Sequence, residues 1–144
     1  MKLTKAYNFK AKVTKNTTVY GKWRAHVPSV SYRTHVQTYG WQNDVKDGAM
    51  SGTQGQSKRL EAIQIQLTGE LSKHYDVYYR VHCQTYGWLG WAKNGQKSGS
   101  AGYSKRLEGI QVVLVAKGAK APGATYKGVT QWTASRYVSS YGDK

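Results

Sequence analysis

From Val77 to Gln84 apolar and polar positions alternate. Val77, Tyr79, Val81 and Cys83 fall on one face, and Tyr78, Arg80, His82 and Gln84 fall on the other. That period of two predicts a strand with one buried side. Val30 to Trp41 carries the same pattern, and the two stretches are copies of each other at an offset of 47 residues. Compared without a gap, residues 30–67 and 77–114 share 22 identities in 38 positions. Within the second copy the pattern predicts strands over 77–83, 86–92, 96–100 and 105–114. In the last of these Ile110, Val112 and Leu114 share a face, and strict period two adds Arg106 and Glu108 to it. Asp47-Gly48 and Asn94-Gly95 occupy matching places. Such pairs favour tight hairpin turns, where both central residues need positive φ. Frequent glycine and β-branched residues argue against helix.

The repeat sets the expected domain plan. One unit runs over 30–76 and a second over 77–123. Tyr126-Lys127 falls where Tyr32-Arg33 and Tyr79-Arg80 fall, and Gln131 falls where Gln37 and Gln84 fall. We therefore expect a degenerate third unit assembled from 124–144 together with 1–29, all within a single domain spanning 1–144. Three units of four short strands predict an all-β, threefold pseudosymmetric closed domain. A β-trefoil fits that arithmetic, and a β-prism of three four-stranded sheets is the alternative.

The recurring motif is Y-R-x-H-x-Q-x-x-G-W, followed by S-G-[TS]-x-G-x-S-x-R-x-E-x-I-x-x-x-L. It resembles the ChW repeat, the clostridial hydrophobic repeat named for its tryptophan. Gly40-Trp41 and Gly87-Trp88 match the central Gly-Trp of that family, and Gly52-Thr53 and Gly99-Ser100 match its Gly-Thr. Arg59-Leu60-Glu61-Ala62-Ile63 matches its R-x-E-A-I, whereas the second copy has Gly109 after Glu108 where the family has alanine. The resemblance implies a module of Gram-positive surface proteins or phage lytic enzymes that attaches to cell-wall or other polysaccharide.

Composition points to a class of partner only through charge. The 144 residues hold 22 Lys and Arg against 7 Asp and Glu, a formal charge of +15. Such a surface attracts anionic polymers. Bulk comes from 12 Tyr and 5 Trp, with one Phe and two Met. Rings with polar tips suit a contact surface. No apolar run approaches the length of a membrane span, so no membrane insertion is expected. The first residues lack the apolar stretch of a signal peptide. Taken with the resemblance, which implies extracellular action at the bacterial wall, this leads to the expectation of a phage-encoded or excised module. One cysteine, Cys83, permits no internal disulfide and reads as a small buried hydrophobe.

Candidate chemistry follows the repeat. Trp41 and Trp88 offer indole faces for stacking on sugar rings, or else hold a hairpin from inside. His35 with Gln37, and His82 with Gln84, stand on the polar face, where they can bond ligand hydroxyls or a loop backbone. Arg59 with Glu61, and Arg106 with Glu108, read either as structural ion pairs or as polar clamps. Trp91 has Asp44 as its counterpart and is expected to be exposed. No metal-binding spacing is present, no cofactor is implied and no catalytic residue is expected. Glu61 and Glu108 are one position seen twice and do not form a facing acid pair.

The expected function is a non-catalytic, monomeric binder of Gram-positive wall glycan or teichoic acid, the targeting domain of an endolysin or another wall-acting protein. A basic nucleic-acid-binding domain is the alternative. Against it, the basic residues do not line up with the aromatics inside the repeats. Many lysines instead lie near the two ends, including Lys2, Lys5, Lys10, Lys12, Lys15 and Lys22 at the start.

Overall fold

A computed structural model describes residues 29–125 and 136–141. The first repeat contains β1 (Val30–Val36), β2 (Gly40–Trp41), β3 (Val45–Lys46) and β4 (Leu60–Leu67). A single helical turn, α1 (Leu71–His74), leads into the second repeat. There β5 (Tyr75–Cys83), β6 (Gly87–Trp88), β7 (Ala92–Lys93), β8 (Ser98–Ala101) and β9 (Leu107–Ala116) follow, and β10 (Tyr137–Ser139) comes last.

Each repeat is built on one long antiparallel pair. β1 pairs with β4, placing Tyr32 opposite Ile65 and Thr34 opposite Ile63. β5 pairs with β9 in the same way, placing Tyr79 opposite Val112 and Val81 opposite Ile110. The other edge of each long strand takes two short strands end to end, β2 and β3 on β1, and β6 and β7 on β5. The strand expected over 86–92 is thus two fragments, and Leu89 between them still donates its N–H to the Val81 carbonyl. The Asp-Gly and Asn-Gly turns form as expected, with φ of 48° and 93° at Asp47 and Gly48, and 42° and 83° at Asn94 and Gly95.

The closed trefoil is not what forms, and neither is a prism of separate sheets. The described strands make two open sheets, one ordered β10-β8-β4-β1 with β2 and β3 at its end, the other β9-β5 with β6 and β7. The second repeat lends β8 to the first repeat's sheet, where Gly99 pairs with Ala62 and Ser98 with Ile63. β10 then adds in parallel to β8. Closure would require β9 to pair onward as β4 does, but no described strand lies on its outer edge. The two ends expected to form a third unit fall mostly outside the described residues.

The core sits where the repeats meet. Ile65 and Leu67 of β4 pack on Val77 and Tyr79 of β5 and on Ala92, with Val30, Tyr32, Ile63 and Leu71 around them. Val81, Cys83 and Leu89 continue it. Burying a side chain of this size contributes about 1.5–3 kcal/mol, so among the described residues the junction is where most apolar stabilisation lies. Cys83 is buried as expected, and burial pushes its thiol pKa up. Tyr79 is also fully buried, its pKa pushed up to about 12 by burial, and its hydroxyl donates to the Gln96 carbonyl.

Asp76 fastens the start of β5. Its carboxylate is only 1% exposed and accepts bonds from Asn94 Nδ2 at 2.8 Å and Gly118 N–H at 2.8 Å. Lys93 Nζ lies 2.9 Å away and Lys117 Nζ 3.1 Å away. The Lys93 contact, with help from the other donors, outweighs burial and holds its pKa well below the carboxylate range. The stabilisation is therefore complete above the unfolded-state value near 4 and is lost as pH falls through the folded one. Replacing Asp76 with Asn should cost about 2 kcal/mol at neutral pH, because both lysines can still reach water. The variant should also flatten the stability curve below about pH 4, as read by denaturant melts.

Candidate functional site

A β-bulge decides the geometry of both repeated clusters. Register slips between His35 and Val36 on β1, whose partners on β4 are Ala62 and Leu60, leaving Glu61 as the extra residue. The same slip between His82 and Cys83 leaves Glu108 extra on β9. The bulge re-aims a side chain, so Glu61 and Glu108 join the histidines on the polar face. The strict alternation that placed them with Ile63 and Ile110 is corrected there.

The first cluster is closed. Glu61 lies 3.1 Å from His35 Nδ1 and 2.9 Å from Arg59 Nε, and it also accepts the Gly102 N–H at 3.3 Å. Trp41 stands edge-on to His35, with ring centroids 5.5 Å apart. In one row across the sheet, Trp41, His35, Ala62, Gly99 and Tyr137 are successive partners. The small Ala62 and the side-chain-free Gly99 form a low floor in that row. Over it Trp41 and Tyr137 lean to 6.2 Å between centroids, and Tyr141 comes to 6.2 Å from His35. Lys97 Nζ lies 5.9 Å from the Trp41 ring and 5.3 Å from the Tyr137 ring. The side chains of His35 and Glu61 keep only 6% and 3% of their exposure. Burial outweighs the Glu61 charge and lowers the His35 pKa.

The second cluster has the same parts without the cover. His82 Nδ1 is 3.3 Å from Glu108, whose other oxygen is 3.2 Å from Arg106 Nε. Trp88 stands edge-on to His82 at 5.4 Å. Here His82 and Glu108 retain 37% and 34% of their side-chain exposure. The two glutamines tie strand ends. Gln37 and Gln84 donate their N–H groups to the carbonyls of Arg59 and Arg106, and the Gln84 side chain accepts the Arg106 N–H at 3.4 Å.

Sequence reasoning missed the arginine beside each tryptophan. Arg33 stacks on Trp41 at 5.3 Å and is braced by Gln64 at 2.6 Å. Arg80 sits 4.9 Å from both Trp88 and Trp91 and is braced by Gln111 at 2.7 Å. All four polar residues are identical between the repeats, a signal that was there to be used. Trp91 itself is 8% exposed, against the expectation of exposure, because it packs under Arg80 and against Gly123. A polar cleft of about 160 Å³ lies beside Arg33, bordered by Asp44, Gln64, Gln66 and Gly95. Tyr137 and Tyr141 lie outside the repeats, and no periodicity marked them. Trp23, Trp132 and the lysines before residue 29 lie outside the described residues.

This chemistry suits holding rather than reacting. Rings, a guanidinium and fixed amides can stack on and bond to a polyhydroxylated ligand. Each carboxylate is tied to an arginine and a histidine, and the two belong to different repeats. Among the described residues no group of three or more His, Cys, Asp or Glu is placed to hold a metal ion. No described helix is long and apolar enough to cross a membrane.

Comparison with known proteins adds one finding. No curated protein and no solved structure gives a match. Residues 35–69 and 82–116 match the family Clostridial hydrophobic W. Each matched segment holds the His, Trp, Arg and Glu at the centre of one cluster (His35, Trp41, Arg59 and Glu61, or His82, Trp88, Arg106 and Glu108) and one bulge. Membership of that family suggests a non-catalytic, cell-wall-associated role. These two segments are repeats of the Clostridial hydrophobic W (ChW) family.

Proposed function

We propose that this chain is a non-catalytic module that attaches to the Gram-positive cell wall, acting outside the cell as the targeting part of an endolysin or another wall-acting protein. The observation that carries the reading is the open second cluster: Trp88 edge-on to His82, with Arg80 stacked on the indole and Arg106 and Glu108 beside it. A sugar ring would lie against the indole, and His82, Arg80 and Arg106 would bond its hydroxyls. The charge of +15 favours an anionic wall polymer such as teichoic acid and speeds encounter with it. The first cluster, closed under Tyr137 and Tyr141, serves the fold, while the cleft beside Arg33 offers a weaker second contact that would add avidity.

Sedimentation of the chain with purified walls, before and after chemical removal of teichoic acid, tests this. Binding is expected in both cases, weaker and less salt-dependent after removal, with no release of reducing ends. Failure to sediment with walls, alongside tight, steeply salt-dependent binding to DNA or RNA, would replace it with the nucleic-acid reading.

A further inference from the structure

The junction between the two repeats is a template, because both of its halves recur in the chain and neither recurrence is paired among the described residues. One half is the outer edge of β4, which receives β8. Its counterpart is the outer edge of β9, which no described strand covers. On β4, Ile65 and Leu67 are buried by the second repeat, whereas Ile110, Val112 and Leu114 on β9 are 42%, 52% and 48% exposed. From Gly109 to Ala116 β9 carries no charged residue, although exposed edges are ordinarily guarded by charge or proline.

The other half is β8 with its turn, whose counterpart is residues 51–55. Gly52 has φ +117° where Gly99 has +123°, and Gly55 has +69° where Gly102 has +78°. Tyr32 donates its hydroxyl to the Ala49 carbonyl as Tyr79 does to that of Gln96. The segment is held in the docking conformation but pairs with no described strand. The use of that conformation shows at Gly99, where an added Cβ would stand 2.5 Å from the Glu61 carbonyl oxygen. At Gly52 the nearest atom would be a methyl of its own repeat, Leu60 Cδ2 at 3.1 Å.

We propose that copies of this chain join head to tail, the outer edge of β9 in one copy receiving residues 51–55 of the next as β4 receives β8. Gly52 would pair with Gly109, Ser51 with Ile110, and the Gly55 N–H would donate to Glu108, as Gly102 does to Glu61. Val30 and Tyr32 of the incoming repeat would cover Val112 and Leu114. The surface is heterologous, so association is open-ended unless the rotation closes a ring. This replaces the monomer expected from the sequence. It leaves Trp88 open, because residues 51–55 bring no equivalent of Tyr137.

Sedimentation velocity of the intact chain over a wide concentration range tests it. Mass should rise with concentration, and Val112→Lys or Gly52→Ala should each weaken association roughly tenfold or more, as for a buried interface side chain. Mixing the two variants should restore a discrete dimer, since each keeps one sound surface. Should Gly52→Ala fail to fold, chains carrying Ile110→Cys and Ser51→Cys should form a disulfide heterodimer on mixing. A wild-type chain that stays monomeric throughout overturns the proposal, as does failure of both mixtures to pair.

Discussion

Replacing Gly99 with alanine is expected to cost about 3–5 kcal/mol, while the same change at Gly52 costs only about 1–2 kcal/mol. Both glycines have φ near +120°, so the backbone penalty is common to the two. The difference is the neighbour. At Gly99 the new methyl meets the Glu61 carbonyl oxygen at 2.5 Å and the Ala62 Cα at 2.6 Å, and backbone does not step aside as a side-chain tip does. β8 must therefore lift from β4, taking with it the Gly102 bond to Glu61 and the β10 pairing. A loss of that size is a large part of the stability of an ordinary domain. Denaturant melts of both variants would show it. Equal midpoints would mean that the two repeats do not share a sheet.

The two tryptophans should separate stability from binding. Trp88→Ala should weaken attachment to walls by about 2 kcal/mol, roughly 30-fold, the loss typical of an aromatic anchor. It removes the surface on which Arg80 stacks and opens His82 to water, but no described strand is built over it. Trp41→Ala should act on the fold instead. Trp41 touches His35, Arg33, Lys97 and Tyr137, so its removal leaves a gap in the row that joins β2 to β10. A stability loss of about 2–3 kcal/mol is expected, below that of a fully buried tryptophan because Trp41 is only partly buried.

Much of each repeat was legible because its physics is local. The alternation from Val77 to Cys83 predicts the buried face correctly, and Asp47-Gly48 and Asn94-Gly95 predict their turns. The bulges were not legible, since Arg59 to Leu67 keeps an even period and nothing in it marks Glu61 as the extra residue. The shared strand was invisible for a different reason. Ser51-Gly52-Thr53 and Ser98-Gly99-Ser100 are nearly the same sequence, yet only the second is a strand, because only it meets an upstream edge. Counting units predicts a closed trefoil, but a count of strands contains no pairing surface that joins the last strand to the first, and the described sheets stay open. For the site, the repeat marked His, Trp, Arg and Glu, but which copy is open depends on Tyr137 and Tyr141, far along the chain from either motif.

Binding isotherms on purified walls should be compared for the wild-type chain, Trp41→Ala and Trp88→Ala, each checked for folding. If the open cluster of the second repeat makes the wall contact, Trp88→Ala binds roughly 30-fold more weakly and a folded Trp41→Ala binds close to wild type. An unchanged Trp88→Ala isotherm would contradict it and move the wall contact away from the second repeat's open cluster.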